Sequence, residues 1–197
     1  MISVTDGILG GPAAGLDFNE GSLENSQAQV FDEREQAVAA TPQLVDFLVG
    51  DNLIAGQQVS GISSPSLSDT RTLAAGTYNS HIVHFDPVGA GSTGPFTIVF
   101  DAPIRAVITS AAGPALLQAT DAIFGAAGAT YETGIGRRLE DGDLFTLIDP
   151  VTLRVDSLST NSSNNDQLRI VTAVPLPAGA ALLVAARGMG ALLRRRA

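Results

Sequence analysis

Residues 80–109 read SHIVHFDPVGAGSTGPFTIVFDAPIRAVIT, and this stretch decides the fold. Ser80–Phe85 is a short apolar run stopped by Asp86-Pro87 and a glycine loop. Phe96, Ile98 and Phe100 then alternate with Thr97 and Val99, the period of two that puts successive side chains on opposite faces of a strand. Ile104–Thr109 follows after Asp101-Ala102-Pro103. Working outward, the same text recurs in Leu44–Val49, closed by Gly50-Asp51-Asn52, and in Leu168–Thr172. In Thr152–Asp156, Leu153 and Val155 share one face while Arg154 and Asp156 share the other. Runs of about five or six residues between turn signals predict an all-β chain, a single antiparallel β-sandwich of jelly-roll-like form. The predicted domain covers residues 16–173. Residues 1–15, broken by Gly10-Gly11-Pro12, are expected to be a flexible lead-in. Asp32-Glu33-Arg34-Glu35-Gln36 reads as a charged turn or edge, and Thr160–Asp166 as a loop. Ala115–Phe124 departs from the pattern: Leu116, Leu117, Thr120 and Phe124 fall at helical offsets, which predicts a short helix or a long corner.

At 197 residues the chain suits one domain and a tail. It has no Cys, which excludes a disulfide framework, a thiolate metal site and a cysteine nucleophile. All 11 basic residues are Arg, and the 20 acids all precede Val174. Seven arginines precede it too, so the body carries a net −13. Such a body repels polyanions, and no nucleic-acid partner is expected.

Each candidate catalytic or binding constellation in the chain has a plainer structural alternative. Gly89-Ala90-Gly91-Ser92-Thr93-Gly94 spells G-x-G-x-x-G, but Pro95 and a strand follow where a dinucleotide site needs a helix N-terminus. It reads as a hairpin loop. His81 and His84 have an odd offset, so a strand sends them to opposite faces and they cannot share a metal. His81 is expected beside Val83 and Phe85, and His84 beside Ile82. Glu140-Asp141-Gly142-Asp143 fits either a calcium corner or an Asp-Gly turn, with the turn preferred; Asp32, Glu33 and Glu35 raise the same question. A glycosidase needs two carboxyls about 5–10 Å apart across a cleft, and no specific pair stands out. The absence of Trp also removes the usual sugar-stacking platform. The chain is therefore read as no enzyme and as needing no cofactor, with calcium the one alternative.

The last 24 residues, VPLPAGAALLVAARGMGALLRRRA, differ in kind from the body. Val174-Pro175-Leu176-Pro177-Ala178 holds two prolines, which favour extended backbone before them and allow a helix to start only near Pro177. Ala178–Leu193 is apolar apart from Arg187, and Arg194, Arg195 and Arg196 form a basic stop. As a C-terminal apolar helix its 16 residues span about 24 Å, short of the roughly 30 Å hydrocarbon core. It is a marginal span that inserts transiently or lies in the interface, with the arginines inside. The alternative is an amphipathic helix docked on the protein itself.

Proline motif, apolar run and arginine cluster, in this order at the C-terminus, resemble the VPLPA variant of the PEP-CTERM sorting signals. The resemblance implies that an exosortase, a membrane-embedded cysteine transpeptidase, reads Val174, Pro175, Leu176, Pro177 and Ala178. Arg194, Arg195 and Arg196 would then be the stop. It extends into the body through Phe31–Val38, Ala75–Thr77, Ser80–Pro87, Phe100–Ile108 and Asp166–Ala173, which are similar to the β-sandwich domains that often precede such tails. What it implies is export, transient parking in the inner membrane, and cleavage near the motif. The body would then reach the cell surface or exopolysaccharide matrix as a non-catalytic component. Met1–Gly7 has neither a basic n-region nor an apolar h-region, so a leader upstream of it is expected; the alternative is a cytoplasmic chain with a coincidental tail. Two other functions are set against sorting: a calcium-dependent module that binds extracellular polysaccharide, and a glycoside hydrolase.

Overall fold

The computed structural model describes residues 2–60, 70–109, 115–133, 137, 139, 142–161 and 164–175. In chain order its first strands are β1 (Ser3–Thr5), β2 (Ile8–Pro12), β3 (Asp17–Phe18), β4 (Gln29–Ala39), β5 (Gln43–Val45) and β6 (Phe47–Leu48). Next come β7 (Gln58–Ser60), β8 (Arg71–Leu73), β9 (Gly76–Phe85), β10 (Gly91–Thr93), β11 (Phe96–Val99) and β12 (Ile104–Ile108). Helix α1 (Ala115–Phe124) is followed by β13 (Thr130–Tyr131), β14 (Leu144–Asp149), β15 (Thr152–Thr160) and β16 (Asp166–Ala173).

Two large sheets form the sandwich. One runs β1-β11-β15-β14-β7, and β10 lies beside β11 along the same edge of β15. The other runs β2-β4-β9-β16-β12-β6. Alternation decides what each strand buries. On β15, Leu153, Val155 and Leu158 face the other sheet, where Val83, Phe85 and Ile170 meet them in the main core. A fully buried side chain of this size contributes roughly 1.5–3 kcal/mol. The β14–β15 turn closes on its own carboxylate: Asp149 Oδ1 accepts the Val151 N–H at 2.8 Å and Oδ2 accepts the Thr152 hydroxyl at 3.0 Å.

The second sheet is covered on both faces. Its outer face carries α1, which buries Leu116, Leu117 and Phe124 against Ala106, Ile108 and Val171. Beside the helix, the short ribbon β3–β13 brings Phe18 onto Phe31 and Ile82. All of β16 from Asp166 to Thr172 is consequently buried.

The chain is the all-β sandwich that the alternating text predicts, and Ala115–Phe124 takes the helical option. Several local expectations are corrected. Residues 1–15 are not a flexible lead-in: β1 extends the first sheet against β11, and β2 edges the second against β4. Backbone pairing holds them where side-chain patterning is weak. Pairing is also not wholly antiparallel, since β2–β4 and β3–β13 are parallel. Asp32–Gln36 is no turn but the middle of β4, and its register against β9 shifts at both Asp32/Arg34 and Arg34/Ala37. Leu44–Val49 breaks at buried Asp46, whose Oδ2 accepts the Thr109 N–H at 2.8 Å. Gly89–Gly94 is not a hairpin loop; it carries the chain from β9 in one sheet to β11 in the other and includes β10. Gly94 has φ +123, and a Cβ there would meet the Asp156 carbonyl oxygen at 2.7 Å, so close approach to β15 requires glycine.

Candidate functional site

The stretch expected to be a sorting motif, residues 174–178, begins where the sandwich ends. β16 is a central strand, paired with β9 on one side and β12 on the other. Its last residue, Ala173, sits opposite Tyr78 and donates its N–H to the Pro103 carbonyl at 2.8 Å. Ala173 and Val174 wall a hollow of about 500 Å³ with Leu73, Tyr78 and Arg105. Val174 and Pro175 wall a second, of about 460 Å³, with Asp101, Pro103 and Arg105. Leu176, Pro177 and Ala178 lie outside the described residues, as do Arg194, Arg195, Arg196 and the expected C-terminal apolar helix. Among the described residues no helix is long and apolar enough to cross a membrane.

A second cluster, buried on the outer face of the same sheet, was not foreseen. Arg169 on β16 donates from Nε to Glu33 Oε2 and from Nη2 to Glu33 Oε1, both at 2.7 Å. Nη2 also reaches Asp121 Oδ1 at 2.8 Å, and Nη1 reaches the Leu117 carbonyl at 3.1 Å and Thr120 Oγ1 at 2.8 Å. Arg137 grips the same Asp121 at 2.7 Å. The Tyr131 hydroxyl donates to Glu33 Oε1 and accepts the Ala126 N–H, each at 2.8 Å. Its ring stacks on Phe18 and lies under both guanidinium groups. Burial, and then the Glu33 carboxylate, push the Tyr131 phenol up. Burial opposes charge on Arg169, but Glu33 and Asp121 more than offset it and hold its pKa above the ordinary arginine value. Arg169 and Glu33 have fully buried side chains. The cluster therefore fastens α1 and the following segment to the sheet, and no substrate reaches its two central charges.

The histidines fall as the odd offset requires. On the inner face, His81 Nδ1 lies 2.8 Å from Asp32 Oδ1 and Nε2 lies 3.1 Å from Thr172 Oγ1. An acid–imidazole–hydroxyl line of this kind resembles a nucleophile relay in its connectivity. Its hydroxyl end is closed, because Thr172 is 1 % exposed, and the solvent-facing end is the carboxylate. On the outer face, His84 packs edge-on against Phe18 and accepts through Nδ1 from Gln167 Nε2 at 3.3 Å.

Comparison of the chain with protein-family models, curated proteins and solved structures finds no match.

Asp32, Glu33 and Asp143, within the acidic stretches, are occupied by structural bonds. Glu33 serves Arg169, and Asp32 serves His81. Asp143 is fully buried, and its Oδ1 accepts the Ser159 N–H at 2.8 Å. Glu140 and Asp141 lie outside the described residues. Among the described residues, no three His, Cys, Asp or Glu side chains are placed to hold a metal ion. Asp143→Ala is expected to lower unfolding free energy by about 1–3 kcal/mol, because the Ser159 N–H loses its acceptor. Asp143→Asn should recover most of that loss in urea melts, equally with and without chelator. A calcium-dependent difference would instead show that this carboxylate works as a ligand.

The end of the last strand before Val174 is legible in the sequence, whereas the ion cluster is not. The available signal was a lone Arg169 inside Leu168–Val171, a charge within apolar strand text. Sequence distance hid its partner, Glu33, which is 136 residues away.

Proposed function

We propose that this chain is a non-catalytic exported protein. Its sandwich is delivered to the cell surface or exopolysaccharide matrix by the C-terminal signal Val174–Ala178. A membrane transpeptidase of the exosortase type reads that motif and cuts near it. The apolar run Ala178–Leu193 parks the chain in the inner membrane, with Arg194, Arg195 and Arg196 on the cytoplasmic side. The observation that carries this reading is the position of the boundary: the hydrogen-bonded body closes at Ala173, directly before the motif. Among the described residues, cleavage beyond that point removes no strand of the sandwich. The closed hydroxyl end of the His81 line and the buried Glu33–Arg169 pair favour a body without catalysis.

The intact mass of the native protein, recovered from the surface or medium of the producing cell, tests this directly. A C-terminus within Val174–Ala178 is the expected result. A product that still reaches Ala197 would sink the sorting reading and leave a permanent anchor or a docked helix in its place.

A further inference from the structure

We infer that the folded body gates its own processing: while β16 is docked, Thr172 and Ala173, the residues directly before the motif, are paired within the sheet and are not free to enter a processing cleft. This rests on the sorting reading above. Enzymes that cut within a chain take several residues on each side of the bond in extended form, with the backbone groups free to pair with the enzyme. Here the residues on the body side of the motif are all committed. Thr172 is paired with Asn79 on β9 and Ile104 on β12, and its Oγ1 meets His81 Nε2 at 3.1 Å. Ala173 is paired with Tyr78, and its N–H is bound to the Pro103 carbonyl. Val174 and Pro175 then line the hollows on either side of Arg105. The motif thus begins one residue after a strand flanked on both sides, with no spacer between them.

Presenting Val174 and Pro175 to an enzyme requires either that the end of β16 peel away from β9 and β12 or that cutting precede folding of the body. Peeling Thr172 and Ala173 breaks a few backbone bonds and the His81 contact together. The open form is then a minority of roughly one molecule in 100 to one in 1,000. Processing of the folded chain is slowed in proportion.

The test inserts eight Gly/Ser residues between Ala173 and Val174 of the full chain, a position that interrupts none of the hydrogen bonds above. Pulse-chase labelling in the producing cell, with intact-mass readout, follows conversion of both forms. The spacer form should be processed at least about tenfold faster. Equal rates, or slower processing of the spacer form, would overturn the gating inference while leaving the sorting reading intact. Failure of both forms to be processed would sink the sorting reading itself. Hydrogen exchange on the unprocessed full chain gives a second readout that needs no enzyme. The Ala173 amide should be protected at least about 100-fold; an amide exchanging at the rate of an unstructured peptide would overturn the gate.

Discussion

Arg169→Met should lower the unfolding free energy by roughly 3–5 kcal/mol, the usual cost of leaving one partner of a buried ion pair uncompensated. Glu33 would be left fully buried without its cation, and among the described residues only the Tyr131 hydroxyl and the neighbouring Ser80 hydroxyl would still meet it. The Ser80 Oγ lies 2.9 Å from Glu33 Oε2 and 2.7 Å from the Phe124 carbonyl, and its single proton serves one of them at a time. Helix α1 would also lose the guanidinium that binds the Leu117 carbonyl, the Thr120 hydroxyl and Asp121. Urea melts at neutral pH give the number, and the double variant Arg169→Met/Glu33→Leu identifies the cause. Removing both charges should recover a large part of the loss, because the penalty belongs to the orphaned carboxylate and not to missing volume. A single variant costing less than about 1 kcal/mol would mean that Glu33 finds water or another cation, contrary to the burial described.

Acidification should act through His84. Burial first, and Arg137 second, hold its imidazole down at about 4, against an ordinary value near 6.5. The folded protein therefore refuses a proton that the unfolded chain accepts. The stability His84 contributes is whole above its unfolded pKa and is lost as pH falls from about 6.5 toward 4. That loss amounts to on the order of 3 kcal/mol by pH 4, since each pKa unit is worth about 1.4 kcal/mol. Among the described residues protonation has no acceptor to reward it: Nδ1 already faces the Gln167 amide nitrogen, and Nε2 has no hydrogen-bond partner. Glu20 and Asp86 work in the opposite sense. Burial raises both pKa values, so their contribution is present at low pH and is lost as pH rises through their folded values. A difference between wild type and His84→Gln cancels that background. The variant should show a flatter dependence of the urea midpoint on pH between about 6.5 and 4. Parallel curves would mean that His84 is protonated in the folded protein, and the account of its burial would fail.

Much of this architecture was legible because it is local. Phe96, Ile98 and Phe100 declare a strand by their spacing, and Leu116, Leu117, Thr120 and Phe124 narrow their segment to a short helix or a long corner by theirs. Opposite faces for His81 and His84 follow from an odd offset alone. The reading failed where strands do not alternate. β16 is buried on both faces, so its outer-facing Gln167 and Arg169 carry no sign of being interior. Within β4, Asp32–Gln36 reads as a charged turn or edge because Asp32 and Glu33 both meet partners on other strands, one on each face of the sheet.

Periodicity and composition alone specify the sandwich class, the helical offsets within Ala115–Phe124, the exclusion of cysteine chemistry and the change of character at Val174. These depend on periodicity and composition within a few residues. Only the tertiary structure decided that residues 3–12 belong to both sheets, that Arg169 neutralises Glu33, and that the motif starts flush against a central strand. The physical reason is that an ion pair, a strand partner or a flanking wall is a relation between residues far apart in the chain. No local pattern encodes which distant residue will complete it.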